Sequence, residues 1–104
     1  MPFQNPFPEG KPEGRMLTKA ELIRAIRLDI AGEQEAIATY SAHAGATDDT
    51  FAELVLTAIA EEEVVHIGEL KLLLQDLTDG KEFDLIEKGM NEAKDVAFKN
   101  EIVL

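Results

Sequence analysis

Residues 56–74 read LTAIAEEEVVHIGELKLLL and carry the strongest structural signal in the chain. Apolar residues recur there at intervals of three and four, the spacing of one face of an α-helix. Glu63 and His66 interrupt this apolar face near its middle. Because residues three apart on a helix lie on the same face, these two side chains can converge on one cation. The predicted face comprises Ala52, Leu56, Ile59, Glu63, His66, Leu70, Leu73 and Leu77.

A second helix of similar length precedes this one. The segment Thr18-Lys-Ala-Glu21 has the form of a capping box, which starts a helix there. The apolar face of this helix is also interrupted by an acid, Glu33. The pattern breaks at Gly45, and Asp48 or Asp49 can cap the helix that follows. The face of the first helix comprises Leu22, Ile26, Ile30, Glu33, Ile37, Tyr40 and Ala44.

The rest of the chain divides into a third helix and two tails. Thr78-Asp-Gly80 stops the second helix, and a helical pattern returns from about residue 83 to residue 98. All four prolines lie within residues 1–12, where they exclude a helix or a regular strand. The expected division is a flexible proline-rich arm at 1–17, an all-α domain at 18–98 with an antiparallel two-helix hairpin and a shorter third helix, and a tail at 99–104.

The composition excludes several classes of function. The 104 residues include 21 acidic and 10 basic side chains, for a net charge of −11, and no cysteine. Without cysteine the chain has no disulfide, thiolate zinc site, iron–sulfur cluster or cysteine nucleophile. The acidic excess argues against nucleic-acid binding, since Lys and Arg supply most of that affinity. No apolar run is long enough for a membrane span, so we expect a cytoplasmic protein with neither nucleic-acid nor membrane partners.

The carboxylates that interrupt the two apolar faces need a positively charged partner. A buried, unpaired carboxylate destabilises a fold or becomes protonated. Di-iron carboxylate bundles take one Glu from each of two helices and a Glu-x-x-His pair from each of two others. The chain contains one such Glu and one such pair, which is half of that set. Two copies would supply the whole set, so the sequence predicts a four-helix bundle completed by dimerisation, with a metal site between the subunits.

These residues resemble those of the encapsulated ferritins, the ferritin-like proteins carried inside encapsulin nanocompartments. The resemblance rests on Glu33-x6-Tyr40 in one helix and Glu62-Glu63-Val-Val-His66 in the next, and it covers residues 17–98. A Glu-x-x-His pair alone occurs by chance in many helices, but the joint pattern in register with both apolar faces is more specific. The resemblance implies a hairpin that dimerises and assembles into a ring of ten chains.

The resemblance also implies an activity and a set of site residues. The activity is that of a ferroxidase, in which oxygen oxidises two Fe(II) ions per dimer and the Fe(III) passes on to mineral. Glu33, Glu63 and His66 would be the iron ligands, and Tyr40 would place a hydroxyl beside them. The implied partner is an encapsulin shell protein, as a separate chain or as a fusion. The implied location is the interior of that compartment, in the cytoplasm.

The sequence departs from this family at two positions. Some members carry a further acid where this chain has Gly32, and a tryptophan where it has Thr39. The departure at Gly32 removes part of the iron entry site that the resemblance implies, and it leaves Glu35, and secondarily Glu62, as the candidate entry or secondary carboxylates. His43 is expected on the surface or at a subunit contact.

Two other functions stay open at this point. A rubrerythrin-type di-iron peroxide reductase would use the same site, although its usual cysteine-bound iron cannot form in this chain. A non-enzymatic helical assembly module would use the Glu and His side chains as a polar layer that fixes partner specificity.

Overall fold

A computed structural model describes residues 14–104, and this part of the chain is helical, without strands. The helices are α1 (Lys19–Gly45), α2 (Thr50–Leu77) and α3 (Lys81–Lys99). The predicted all-α class is therefore confirmed. None of these three helices combines the length and the apolarity needed to cross a bilayer. Most of the predicted N-terminal arm lies outside the described residues.

A capping box begins α1 at the predicted residue. The Thr18 hydroxyl accepts a hydrogen bond from the Glu21 backbone N–H at 3.2 Å, and the Glu21 carboxylate accepts one from the Thr18 N–H at 2.9 Å. The Arg15 guanidinium donates to both oxygens of the same carboxylate, at 2.6 and 2.9 Å. This bidentate pair, helped by the Thr18 N–H, lowers the pKa of Glu21 to about 2.

The connection between α1 and α2 spans only residues 46–49. The Ala46 N–H bonds to the carbonyl oxygen of His43 and ends α1 with a tight turn. The Asp49 carboxylate then accepts a hydrogen bond of 2.9 Å from the Ala52 N–H, in the first turn of α2. This interaction confirms the expectation that Asp48 or Asp49 caps the second helix, and it selects Asp49.

α1 and α2 pack side by side in opposite directions, and side chains from both helices line one cleft. The described residues up to Leu74 belong to one compact unit. Every residue of the predicted α1 face is buried or half-buried, as expected. The buried residues of the two helices are Ile26, Gly32 and Ala44 on α1, and Ala60, Ile67 and Leu74 on α2.

The buried face of α2 differs from the predicted face at three positions. Ile59, His66 and Leu73 were expected on that face, but the structure buries the residue that follows each of them. Ile59 is half-buried, whereas His66 and Leu73 are exposed. The prediction that His66 and Leu73 are buried is therefore wrong for a single chain. Among the described residues of this unit, α1 is the one helix that packs against α2, and it covers only one side of the wide apolar stripe of α2. Periodicity alone does not reveal which side that is.

Residues Gln75–Leu104 form a second compact unit, which contains α3. Gly80 separates α3 from α2 with a φ of 78°, and its N–H bonds to the Gln75 carbonyl at 2.8 Å. This left-handed conformation favours glycine and is common at helix ends, so the stop predicted at residues 78–80 is confirmed. α3 begins at Lys81 and ends at Lys99, close to the predicted span of 83–98.

Candidate metal centre

Three potential metal ligands meet where the middle of α1 faces the middle of α2. Glu33 comes from α1, and Glu63 and His66 come from successive turns of α2. One ligand atom from each of these residues lies within 4.8 Å of the other two. His66 Nδ1 is 3.4 Å from Glu63 Oε2 and 3.6 Å from Glu33 Oε2. The structure thus brings the three predicted ligands together, and we refer to them as the ligand cluster.

The ligand cluster sits at the boundary between the helix interface and solvent. The Glu33 and Glu63 side chains are 25% and 18% exposed, whereas the His66 side chain is 47% exposed. Glu33 Oε2 is buried and has no hydrogen-bond partner. Its distance of 3.6 Å from the imidazole is too long for a hydrogen bond. Because this oxygen has lost water without gaining a donor, a cation held between the carboxylates would compensate it.

An open cleft of about 410 Å³ includes both carboxylates of the cluster. Its walls combine acids with small and apolar side chains, and the cleft is open to solvent. Tyr40, for which a hydroxyl beside the ligands is a prediction, also lines this cleft. The lining residues are Asp29, Gly32, Glu33, Ala36, Tyr40, Glu63 and Leu70.

The remaining predicted site residues do not line this cleft. Glu35 is half-buried, and its position two residues after Glu33 places it on the opposite side of α1. Glu62 and His43 are exposed. The surface position predicted for His43 agrees with its exposure, while Glu35 and Glu62 stand apart from the ligand cluster.

Asp29, which lines the cleft from α1, was not among the predicted site residues. Asp29 precedes Glu33 by four residues, so the two acids lie on the same face, one turn apart. That spacing was the available signal. It went unused because an exposed acid on a helix surface is ordinary, and only the cleft distinguishes Asp29 from other surface acids.

The chemistry of its donor atoms limits which cations the ligand cluster could hold. Two carboxylates and one imidazole suit iron or manganese, which favour hard oxygen ligands together with imidazole. Three protein ligands leave further coordination positions for water, oxygen or residues of another chain. Within the described residues, one chain holds half of the ligand set of a di-iron carboxylate bundle.

Two curated proteins are similar to this chain. It is 44% identical over 66 residues to the encapsulin nanocompartment cargo protein EncC of Myxococcus xanthus, a match that covers 64% of this chain and 49% of that protein. It is 34% identical over 79 residues to a ferritin-like–encapsulin shell fusion protein of Pyrococcus furiosus, covering 76% of this chain and 23% of the fusion. The chain thus spans about half the length of the first relative and about a quarter of the second. No protein-family model and no solved structure matches the chain.

Proposed function

We propose that this chain is a ferritin-like ferroxidase subunit that oxidises Fe(II) at a site shared between two copies. The observation that carries the proposal is the convergence of Glu33, Glu63 and His66, with one buried carboxylate oxygen left without a hydrogen-bond donor. Hard carboxylate oxygens bind both Fe(II) and Fe(III), and an imidazole completes the ligands that each chain offers.

The need for a second copy follows from the ligand count and from the exposed side of α2. Four carboxylates and two imidazoles make up a di-iron bundle site, and each chain supplies half of them. The imidazole of His66 is 47% exposed, and the apolar side chains of Val55 and Leu73 are 41% exposed on the same side of the helix. A second hairpin related by a twofold axis would cover these side chains and bring its own ligand cluster to the first.

In this dimer the protein holds two Fe(II) ions as substrate and keeps them close together. Each pair of ions gives two electrons to oxygen, and the charge on the iron rises. Glu33 and Glu63 would hold the ions, and their negative charges would compensate the higher charge of Fe(III). The Tyr40 side chain lines the same cleft, where its hydroxyl can hydrogen-bond to a ligand or to water.

The names of the two relatives support a connection with an encapsulin compartment. One is a cargo protein of an encapsulin nanocompartment, and the other joins a ferritin-like region to an encapsulin shell. We therefore propose that this chain works inside an encapsulin shell in the cytoplasm and passes Fe(III) to a mineral stored there. The dimers assemble into a larger ring of ten chains in this proposal.

An aerobic titration of the purified chain with Fe(II) tests the proposed activity. The expected result is an Fe(III) absorbance that rises until two irons are bound per pair of chains. Glu63→Ala and His66→Ala should lose this signal. Glu62→Ala is the matched control, because it removes a neighbouring exposed acid of the same helix that lies outside the cluster.

Three other outcomes separate the proposal from its alternatives. No iron-dependent change in the wild-type chain would contradict a ferroxidase and favour an assembly module. Oxidation that is faster with hydrogen peroxide than with oxygen would favour a peroxide reductase. Equal loss of signal in the Glu62 variant would show that general acidity, and not the ligand cluster, binds the iron.

A further inference from the structure

We infer that α3 is a second association surface, on which the α3 helix of another copy docks in the antiparallel direction. This surface belongs to the second compact unit and contains no residue of the ligand cluster. The contact itself follows from the residues of α3. Its place in one assembly with the shared metal site rests on the proposed function.

The apolar side of α3 is exposed in the chain. Phe83, Ile86 and Met90 follow one another at intervals of three and four residues, and they are 50%, 45% and 59% exposed. Ala93 continues this side and is also exposed. α3 separates its apolar and polar side chains more sharply than α1 or α2 does. Such a face is typical of a helix that packs against another helix.

The charges beside this face complement those of an antiparallel copy. Glu87 and Lys94 flank the apolar face on the same edge, two turns or about 10 Å apart, which is too far for a pair within one helix. In an antiparallel pair of helices, the two edges that carry these residues meet. Glu87 of each chain can then pair with Lys94 of the partner subunit, so one contact contains two ion pairs around a twofold axis.

Lys94 and Glu87 also lack partners of opposite charge on their own helix. Side chains three or four residues apart are neighbours on a helix surface. The other lysines of α3 (Lys81, Lys88 and Lys99) each have an aspartate at one of these spacings, whereas the corresponding positions around Lys94 hold no acid and those around Glu87 hold no basic residue. No ion pair involves Glu87 or Lys94 within residues 14–104.

The register that pairs these charges also places large side chains against small ones. It sets Met90 of one copy beside Ala93 of the other, and on the opposite edge it sets Gly89 beside Val96. Glycine is unfavourable inside a helix relative to alanine. Nothing in the described chain lies within 4 Å of the place where Gly89 lacks a Cβ, so no contact within this chain uses that space. A second helix packed closely against α3 would use it.

The α3 contact is too small to hold two chains together by itself. A helix of 19 residues is about 28 Å long, and one pair of such helices buries less than the roughly 1,000 Å² of a stable interface. We therefore expect this contact to join dimers that have already formed at the shared site, where several weak contacts act together. Two different twofold contacts on each chain are compatible with a closed ring.

Charge reversal in the full chain tests this contact. The chain is loaded with Co(II) without oxygen, and sedimentation velocity measures the species that form. The wild type should form species larger than two chains. Glu87→Lys and Lys94→Glu each place like charges on both sides of the contact, so each variant should stop at two chains, with further association weakened on the order of tenfold or more. Both variants should keep the Co(II) stoichiometry of the wild type, which shows that they are folded.

Mixing the two variants gives the most specific result. The larger species should return, because a contact can then join a chain with two lysines at these positions to a chain with two glutamates. The double variant Glu87→Lys/Lys94→Glu should assemble like the wild type for the same reason. Lys88→Glu is the matched control, since it makes the same change of charge on the opposite side of α3 and should leave assembly unchanged.

The outcomes separate this inference from the proposed function. Single variants that assemble like the wild type, or a mixture that stays at two chains, would overturn the α3 contact and leave the metal site intact. An equal loss of assembly in Lys88→Glu would also overturn it, because net charge would then decide association. A wild type that binds no Co(II), yet associates at high concentration with the same pattern among the variants, would support the α3 contact and overturn the proposed function.

Discussion

His66 Nδ1 lies 3.6 Å from Glu33 Oε2, across the contact between α1 and α2. This separation is too long for a hydrogen bond. It suits two ligands of one cation, because a metal ion binds nitrogen and oxygen ligands at about 2 Å each. The second helix supplies Glu63 at 3.4 Å from the same nitrogen. One chain thus places three potential ligands within reach of a single cation, and these three are half of the ligand set of a di-iron bundle.

Removal of the unpaired carboxylate should separate metal binding from folding. Glu33→Gln keeps the size of the side chain but removes the charge that a cation compensates. We expect the metal-free variant to be at least as stable as the wild type, because the buried oxygen no longer belongs to an ion. The wild type should gain about 2.7 kcal/mol of unfolding free energy when free Co(II) is 100 times its Kd, and the variant should gain little. Thermal unfolding with and without Co(II) measures both effects. A variant that is destabilised without metal and still stabilised by it would contradict this assignment of Glu33.

Tyr40→Phe tests the tyrosine hydroxyl without changing the shape of the cleft. The number of bound irons should stay the same, because the ligand cluster is unchanged. The rate of Fe(II) oxidation should fall about fivefold, the effect of one hydrogen bond worth about 1 kcal/mol. Stopped-flow absorbance measures the rate, and a metal assay measures the stoichiometry. An unchanged rate would mean that Tyr40 serves only as packing.

Leu73→Glu should weaken the association of two chains. Leu73 follows His66 by seven residues and therefore lies on the same exposed side of α2. A charge at this position would have to be desolvated in the dimer, which should weaken dimerisation by more than about tenfold. The matched control is Leu72→Glu, since Leu72 is 67% exposed and projects about 100° farther around the helix. Sedimentation at several concentrations measures the dimer constant, and equal behaviour of the two variants would place the interface elsewhere.

The bridge between Arg15 and Glu21 predicts a dependence of stability on pH. The pKa of Glu21 is lowered to about 2 in the folded chain, mainly by its hydrogen bonds to Arg15. The ordinary pKa of Glu in an unfolded chain is about 4.3. Because the folded pKa is the lower one, the contribution of Glu21 to stability is complete above this ordinary value and is lost as the pH falls toward 2.

Arg15→Ala checks this prediction. The variant should return the Glu21 pKa toward its ordinary value, as followed by NMR titration of the side-chain carboxyl. Its unfolding curve should also lose part of the acid dependence seen for the wild type between about pH 4.3 and pH 2. An Arg15→Ala chain with an unchanged Glu21 titration would show that the bridge does not form in solution.

The helices were predictable from sequence because their signals are local. The capping box at Thr18, the Asp49 cap and the left-handed Gly80 each fix a helix end through a few neighbouring residues. The ligand cluster was also predictable, since Glu33, Glu63 and His66 occupy helical positions that apolar residues would otherwise fill. Because residues are evenly spaced along a helix, these three side chains lie at the same level of the two neighbouring helices.

Two features were not predictable, because both depend on how α1 and α2 face each other. The apolar stripe of α2 is wider than the side that α1 covers, so the choice between Ile59 and Ala60, or between His66 and Ile67, needs the packed pair. Asp29 is an ordinary exposed acid in the sequence and becomes part of a site only through the cleft. The sequence pattern alone does not show where the cleft forms or which side of α2 faces α1.

Mass measurement of the intact chain with and without Fe(II), in the absence of oxygen, tests the shared site most directly. We predict that Fe(II) converts single chains or weak dimers into a species of two chains that carries two irons, and larger multiples of that species. Metal should tighten the dimer because four carboxylates close to a twofold axis repel one another until cations bind. A stable single chain that binds iron through Glu33, Glu63 and His66, with no change of mass beyond the iron, would contradict the account.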